Sequence, residues 1–143
     1  MTTELMTELY DKIKDEKIRL FDVHDGGDAC TMRDDVFNVY GIFADSENFE
    51  TSDEEFCIMA HEYGHCKSGA THHLSSPLEM IEQHEYRADR AAVHEFLPFE
   101  KIDEAFRRGC AELWEIADFL DMPEEFVEKA IEIYRAEGFI LTY

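Results

Sequence analysis

Residues 52–69 read SDEEFCIMAHEYGHCKSG, and the fold turns on this stretch. Ser52-Asp53-Glu54-Glu55 has the form of a capping box, in which a serine hydroxyl and a glutamate carboxylate satisfy two free backbone donors at a helix start. It predicts a helix over residues 53–67 with Phe56, Met59, Ala60 and Tyr63 on one buried stripe. Within it, His61-Glu62-Tyr63-Gly64-His65 is an HExxH sequence. Residues four apart on a helix lie one above the other, so both imidazoles can reach a single ion. Glu62 sits one step round the helix, where its carboxylate reaches a water on that ion without becoming a ligand.

Two histidines leave a catalytic zinc incomplete, since such sites take three protein ligands and a water. Downstream, Ser76-Pro77-Leu78-Glu79 reads as a second capping box with proline in the first helical position. The helix it opens runs to about residue 96, with Leu78, Ile81, Glu85, Ala88 and Ala92 as its inward line. Glu85 is thus a carboxylate on an apolar face, costly to bury without a cation or strong donor. A zinc ion held by the facing helix meets that need. Asp89, one turn on, is placed to accept a hydrogen bond from a ligand imidazole and fix its tautomer. Other readings of the same residues stay open: Glu85 paired at the surface with Arg87 or Arg90, His84 as third ligand, or the His72-His73 pair. His24 and His94 have no motif around them and read as structural.

Upstream, Leu5, Leu9 and Ile13 form the apolar line of an opening helix over residues 3–17. Residues 18–23 read as a short strand, 24–28 as a turn cluster and 29–33 as a second extended piece. Val36–Ala44 (VFNVYGIFA) is the clearest strand, rich in β-branched and aromatic residues. Leu97-Pro98 ends the long helix; Gly109, Pro123 and Gly138 then punctuate three short helices near 99–108, 111–120 and 123–137. The expectation is an α+β fold in one domain, 1–143. Residues 1–97 supply a small N-terminal antiparallel sheet and the metal-binding helices, and 98–143 supply packed helices.

The 34 acidic side chains against 13 basic ones give a net charge of −21, which repels nucleic acid and anionic lipid and favours basic proteins. Residues 114–123 followed by a helix have the rhythm of a helix-turn-helix, with Ala117 and Leu120 in the turn. The would-be recognition helix, however, sets Glu124, Glu125, Glu128 and Glu132 against Lys129 and Arg135, which opposes phosphate contact. These helices therefore read as packing or partner-docking elements, with no direct nucleic-acid binding. Cys30, Cys57, Cys66 and Cys110 form no CxxC pair and read as reduced thiols. No run is long enough to span a bilayer and no signal-peptide core precedes the first helix, so a cytoplasmic protein is expected.

With HExxH followed by Glu85-Tyr86-Arg87-Ala88-Asp89, an ExxxD pattern, the chain resembles the gluzincin metallopeptidases and, more narrowly, the ImmA/IrrE family. The resemblance is carried by NVYGIFADSENF (38–49), CIMAHEYGHCKSG (57–69), HEYRADRAAVHEFLP (84–98) and ELWEIADFLDMPEEFVEKAIEIY (112–134). It implies a zincin-like fold and an intracellular zinc endopeptidase, often encoded by phages or mobile elements, that cuts a partner repressor of the helix-turn-helix class. By motif, His61, His65 and Glu85 match the zinc ligands and Glu62 the catalytic glutamate. The chain departs from longer members in lacking a sensory domain, and from the common acidic pattern in carrying Arg87. Strand residues Val39–Ala44 are expected beside the HExxH helix, pairing with an extended substrate. Tyr40 and Tyr86 are the candidate substrate-binding residues and, with His94, the candidates for stabilising an oxyanion. The competing expectation is a metal-bound antirepressor that sequesters a basic partner without cutting it.

Overall fold

In chain order the elements are α1 (Thr3–Asp15), β1 (Arg19–Asp22), β2 (Cys30–Asp34), β3 (Val39–Ala44), a 3-10 turn (Ser46–Asn48), α2 (Ser52–Ser68), α3 (Leu78–Phe96), α4 (Phe99–Arg107), α5 (Leu113–Leu120) and α6 (Glu124–Ala136). This computed structural model describes residues 3–69 and 77–139. Among the described residues the architecture is mixed α+β, with one three-stranded sheet and six α-helices. None of those helices is long and apolar enough to cross a membrane.

The sheet corrects two expectations. Its order is β1-β3-β2, with β1 parallel to β3 and β2 antiparallel to it, so the sheet is mixed. The residues after β1 turn the chain around but carry it past β3 to the opposite edge, leaving the most apolar strand in the middle. Ile42 there is fully buried, and Ala44 nearly so. Being central, β3 has both edges occupied and cannot pair with a substrate backbone. β3 also starts later than its composition suggests. Asp34 Oδ1 accepts from the backbone of Val36 and Phe37, and Asn38 has φ 53°, so residues 35–38 form the turn back from β2.

At the start of α2 the cap falls one residue earlier than the capping box predicts. Thr51 Oγ1, not Ser52, accepts from Glu54 N at 3.0 Å, and the Glu54 carboxylate reaches back to Glu50 N. Phe56, Met59, Ala60 and Tyr63 are all buried, as their spacing requires. At the far end Gly69 closes the helix in the left-handed conformation (φ 69°), which a residue without Cβ adopts freely. The loop expected over 69–75 lies otherwise outside the described residues, as do His72, His73 and Ser76. Pro77 stands immediately before α3, and among the described residues no side chain caps that helix.

α3 runs antiparallel to α2, and the spacing between them is set by Gly64. A Cβ at this position would lie 1.9 Å from the backbone oxygen of Ala88. Only glycine lets the two backbones come so close. Ala88 and Ala92 on the facing stripe are likewise small and fully buried. Leu78, expected on that stripe, is 70% exposed because it projects beyond the point where α2 has ended.

One core joins both parts of the chain. Leu9 and Ile13 of α1, Ile42, Phe56 and Tyr63 of α2, Phe96 of α3, and Phe126 and Val127 of α6 belong to the same cluster. The Phe56 ring meets Phe96 edge-on at 5.7 Å and Phe126 at 5.1 Å. Tyr134 of α6 donates to the backbone oxygen of Leu97 at 2.7 Å. The α5–α6 pair is thereby committed to packing through Ile116, Ala117, Phe126 and Val127, while Glu124, Glu125, Glu128 and Glu132 face outward.

Candidate metal centre

The close helix contact at Gly64 brings Glu85, just under one turn before Ala88, opposite the HExxH turn. His61 Nε2 lies 2.6 Å from Glu85 Oε2, and His65 Nε2 lies 3.1 Å from Glu85 Oε1. The three side chains thus offer ligand atoms within 4.8 Å of one another. On the other side of its ring, His61 Nδ1 lies 2.6 Å from Asp89 Oδ1. Asp89 is also approached by Lys129 Nζ of α6 at 3.4 Å.

This arrangement has a definite protonic consequence. A neutral imidazole has one N–H and one lone pair. His61 stands between two carboxylates, so it either carries protons on both nitrogens or donates from Nδ1 to Asp89 and turns the Nε2 lone pair to a cation. Burial alone lowers the pKa of His61. The hydrogen bond and charge of Asp89, with Glu85 and Glu62, reverse this and hold it above the ordinary value. For Asp89, burial pushes upward, but the His61 hydrogen bond and the Lys129 charge win, and its carboxyl is held below the ordinary range.

Glu62 belongs to the same helix turn and is 6% exposed. Its pKa is raised by burial, only partly offset by a hydrogen bond from Thr31 and by the two imidazoles. His61, Glu62 and Glu85 line a cleft of about 540 Å³, whose walls also include Asp45, Phe49, Cys57, Glu125 and Lys129.

The site residues read from sequence are partly gathered here. His61, Glu62, His65, Glu85 and Asp89 come together around one point. Tyr40 does not line the cleft; its hydroxyl reaches Gly69 at the C-terminal end of α2. Tyr86, 45% exposed, stands off the cleft on the outer side of α3. His94 is turned to Glu137, which it meets at 2.9 Å. His84, the rival third ligand, is outside the group that converges with His61 and His65. Arg90 binds Glu137 and so is not the partner of Glu85.

Three residues of the site were missed in the sequence. Gly64 carries no assigned role in the HExxH pattern, although a glycine facing a small-residue stripe is the signal of close helix packing. Lys129 sits on a helix assigned to packing or partner docking, and Thr31 in a strand that no motif marks. Their roles depend on which elements meet. Cys66, beside a ligand candidate, is not part of the donor group that converges among the described residues; burial pushes its thiol, like that of Cys57, up to about 12.

A comparison with known proteins found no match, either to a protein-family model, to a curated protein or to a solved structure.

Proposed function

We propose that the chain is a zinc-dependent endopeptidase of the gluzincin kind, with a zincin-like arrangement of sheet and active-site helix. The observation that carries this reading is the convergence of His61, His65 and Glu85 on one point, with Asp89 behind His61 and Glu62 beside it. Two imidazoles and a carboxylate are the donor set of a catalytic zinc with one position left for water. The Nδ1–H held by Asp89 leaves the Nε2 lone pair of His61 for the metal, so the residues present fit the ion.

Zinc held by these three residues supplies Lewis acidity, making a water acidic enough to lose a proton near neutral pH and polarising a peptide carbonyl. The chain's own work is to accept and return that proton. Glu62, buried against the cleft and fixed at one oxygen by Thr31, takes a proton from the attacking water and passes it to the leaving amine. An extended peptide finds backbone partners on the outer edge of β2, to which no strand pairs among the described residues. With −21 net charge and acidic cleft walls, the protein favours a basic substrate. A basic repressor of the helix-turn-helix class, as the motif resemblance implies, suits that requirement.

The same charge equally favours sequestration of a basic partner, the antirepressor reading. The deciding experiment pairs metal content with cleavage. The purified protein is expected to hold about one zinc per chain, and Glu85→Ala to bind it more weakly. Glu62→Gln is expected to keep the zinc and to lose cleavage of a helix-turn-helix repressor that the wild type cuts. A repressor left intact by wild type but released from DNA supports sequestration. A chain that takes up no zinc is not a metallopeptidase, and only a binding role is then left to it.

A further inference from the structure

Thr31 lies on β2, the edge strand that meets α2. Its hydroxyl is 2.6 Å from Glu62 Oε2 and 3.2 Å from the Glu62 backbone oxygen. One hydroxyl proton serves one acceptor at a time, and the shorter distance falls in the range of about 2.5–2.7 Å typical of O–H donation to an ionised carboxylate. The side chain it binds is the one on the HExxH turn that is not a ligand candidate. On the same turn, His61 approaches Glu85 and Asp89, and His65 approaches Glu85.

We propose that Thr31 is a positioning residue for Glu62, holding one carboxylate oxygen on β2 so that the other faces a water in the cleft. The inference rests on the reading of Glu62 as the group that handles the water's proton. A free glutamate side chain has three rotatable bonds, and proton transfer needs the acceptor within hydrogen-bond reach of one particular oxygen. Binding Oε2 removes most of that freedom. It also links the carboxylate to β2, whose outer edge pairs with no strand among the described residues.

The test uses the cobalt-substituted full chain, with acetohydroxamic acid as probe. This ligand chelates the metal and gives up its hydroxyl proton as it does so, and a correctly placed carboxylate receives it. Its affinity, read from the visible absorption of cobalt, therefore reports the placement of Glu62 without any substrate. Thr31→Val and Thr31→Ala are each expected to bind one cobalt, melt near wild type and bind the hydroxamate about tenfold more weakly, at the lower end of what a lost supporting hydrogen bond does at metal sites. Thr31→Ser, which keeps the hydroxyl, should restore wild-type affinity, and Glu62→Gln should be at least as weak as Thr31→Val.

Wild-type affinity in both Thr31→Val and Thr31→Ala, beside a weakened Glu62→Gln, would overturn the proposal and leave the Glu62 reading intact. Loss of folding or of cobalt in both would make Thr31 a structural tie between β2 and α2, which also overturns it. Wild-type affinity in Glu62→Gln, or no cobalt uptake by any form, would remove the underlying reading and the proposal with it.

Discussion

His61 shows how much chemistry one position takes from its neighbours. Alone it is an imidazole on a helix; between Asp89 and Glu85 it becomes either a doubly protonated cation or a metal ligand with a fixed tautomer. Gly64, three residues on, makes that sandwich by what it lacks. A methyl group there would stand 1.9 Å from the Ala88 backbone oxygen, and neither backbone can yield locally. Gly64→Ala is therefore expected to force α2 and α3 apart, destabilising the fold by about 3 kcal/mol. It should also weaken zinc binding, because Glu85 moves away from both histidines. Urea unfolding and a zinc titration on the same sample check both effects. An unchanged midpoint with tight zinc binding would show that the helices have room to spare. That the two histidines of HExxH face one point could be read from the motif. That its glycine sets the distance to Glu85 could not, because the clash is with a residue 24 positions away.

The tie between α3 and the end of α6 has its own signature. Arg90 and His94, one turn apart on α3, both reach the carboxylate of Glu137, which ends α6. Burial would raise the pKa of that carboxyl; the hydrogen bonds from His94 and Arg90 outweigh it and hold the group below its ordinary 4.5. A depressed folded-state pKa contributes stability that is present above the ordinary value and lost as pH falls through the lowered one. Glu137→Gln is thus expected to lower the melting temperature at pH 7, with the difference from wild type shrinking steadily below about pH 4. An equal difference at both pH values would mean that the charge of Glu137 does not matter. Elsewhere among the elements, local signals succeeded and pairing signals failed. The six helices were readable because their periodicity and their Gly and Pro boundaries are local. The parallel pairing of β1 with β3 was not, because nothing within either strand states which edge its partner occupies.

Taken whole, the chain folds against its own charge. Thirty-four acidic side chains against 13 basic ones repel one another more in the folded state than in an expanded chain. The ion pairs Lys12–Glu95 and Lys67–Glu16 offset this only locally, at partly exposed sites. Raising sodium chloride from low to physiological concentration, where the Debye length falls to about 8 Å, is therefore expected to raise the melting temperature. A fall on adding salt would mean that the ion pairs outweigh the repulsion. Under the proposed function, the same field would draw a basic substrate toward the acidic cleft.

The helices, the buried stripe of α2, the two histidines and the glutamate between them were all present in the order of residues, because each depends on neighbours within one or two turns. So was Glu85 as a candidate, since a carboxylate on an apolar helix face demands a partner wherever the helix is put. Setting it against His61 and His65 required the two helices at their actual distance, and Thr31 and Lys129 entered the site only when β2 and α6 came against α2 and α3. The substrate-pairing role expected of residues 39–44 failed for the same reason. Whether a strand lies at the edge or the centre of a sheet is a property of its neighbours in space, and no sequence pattern within the strand records it.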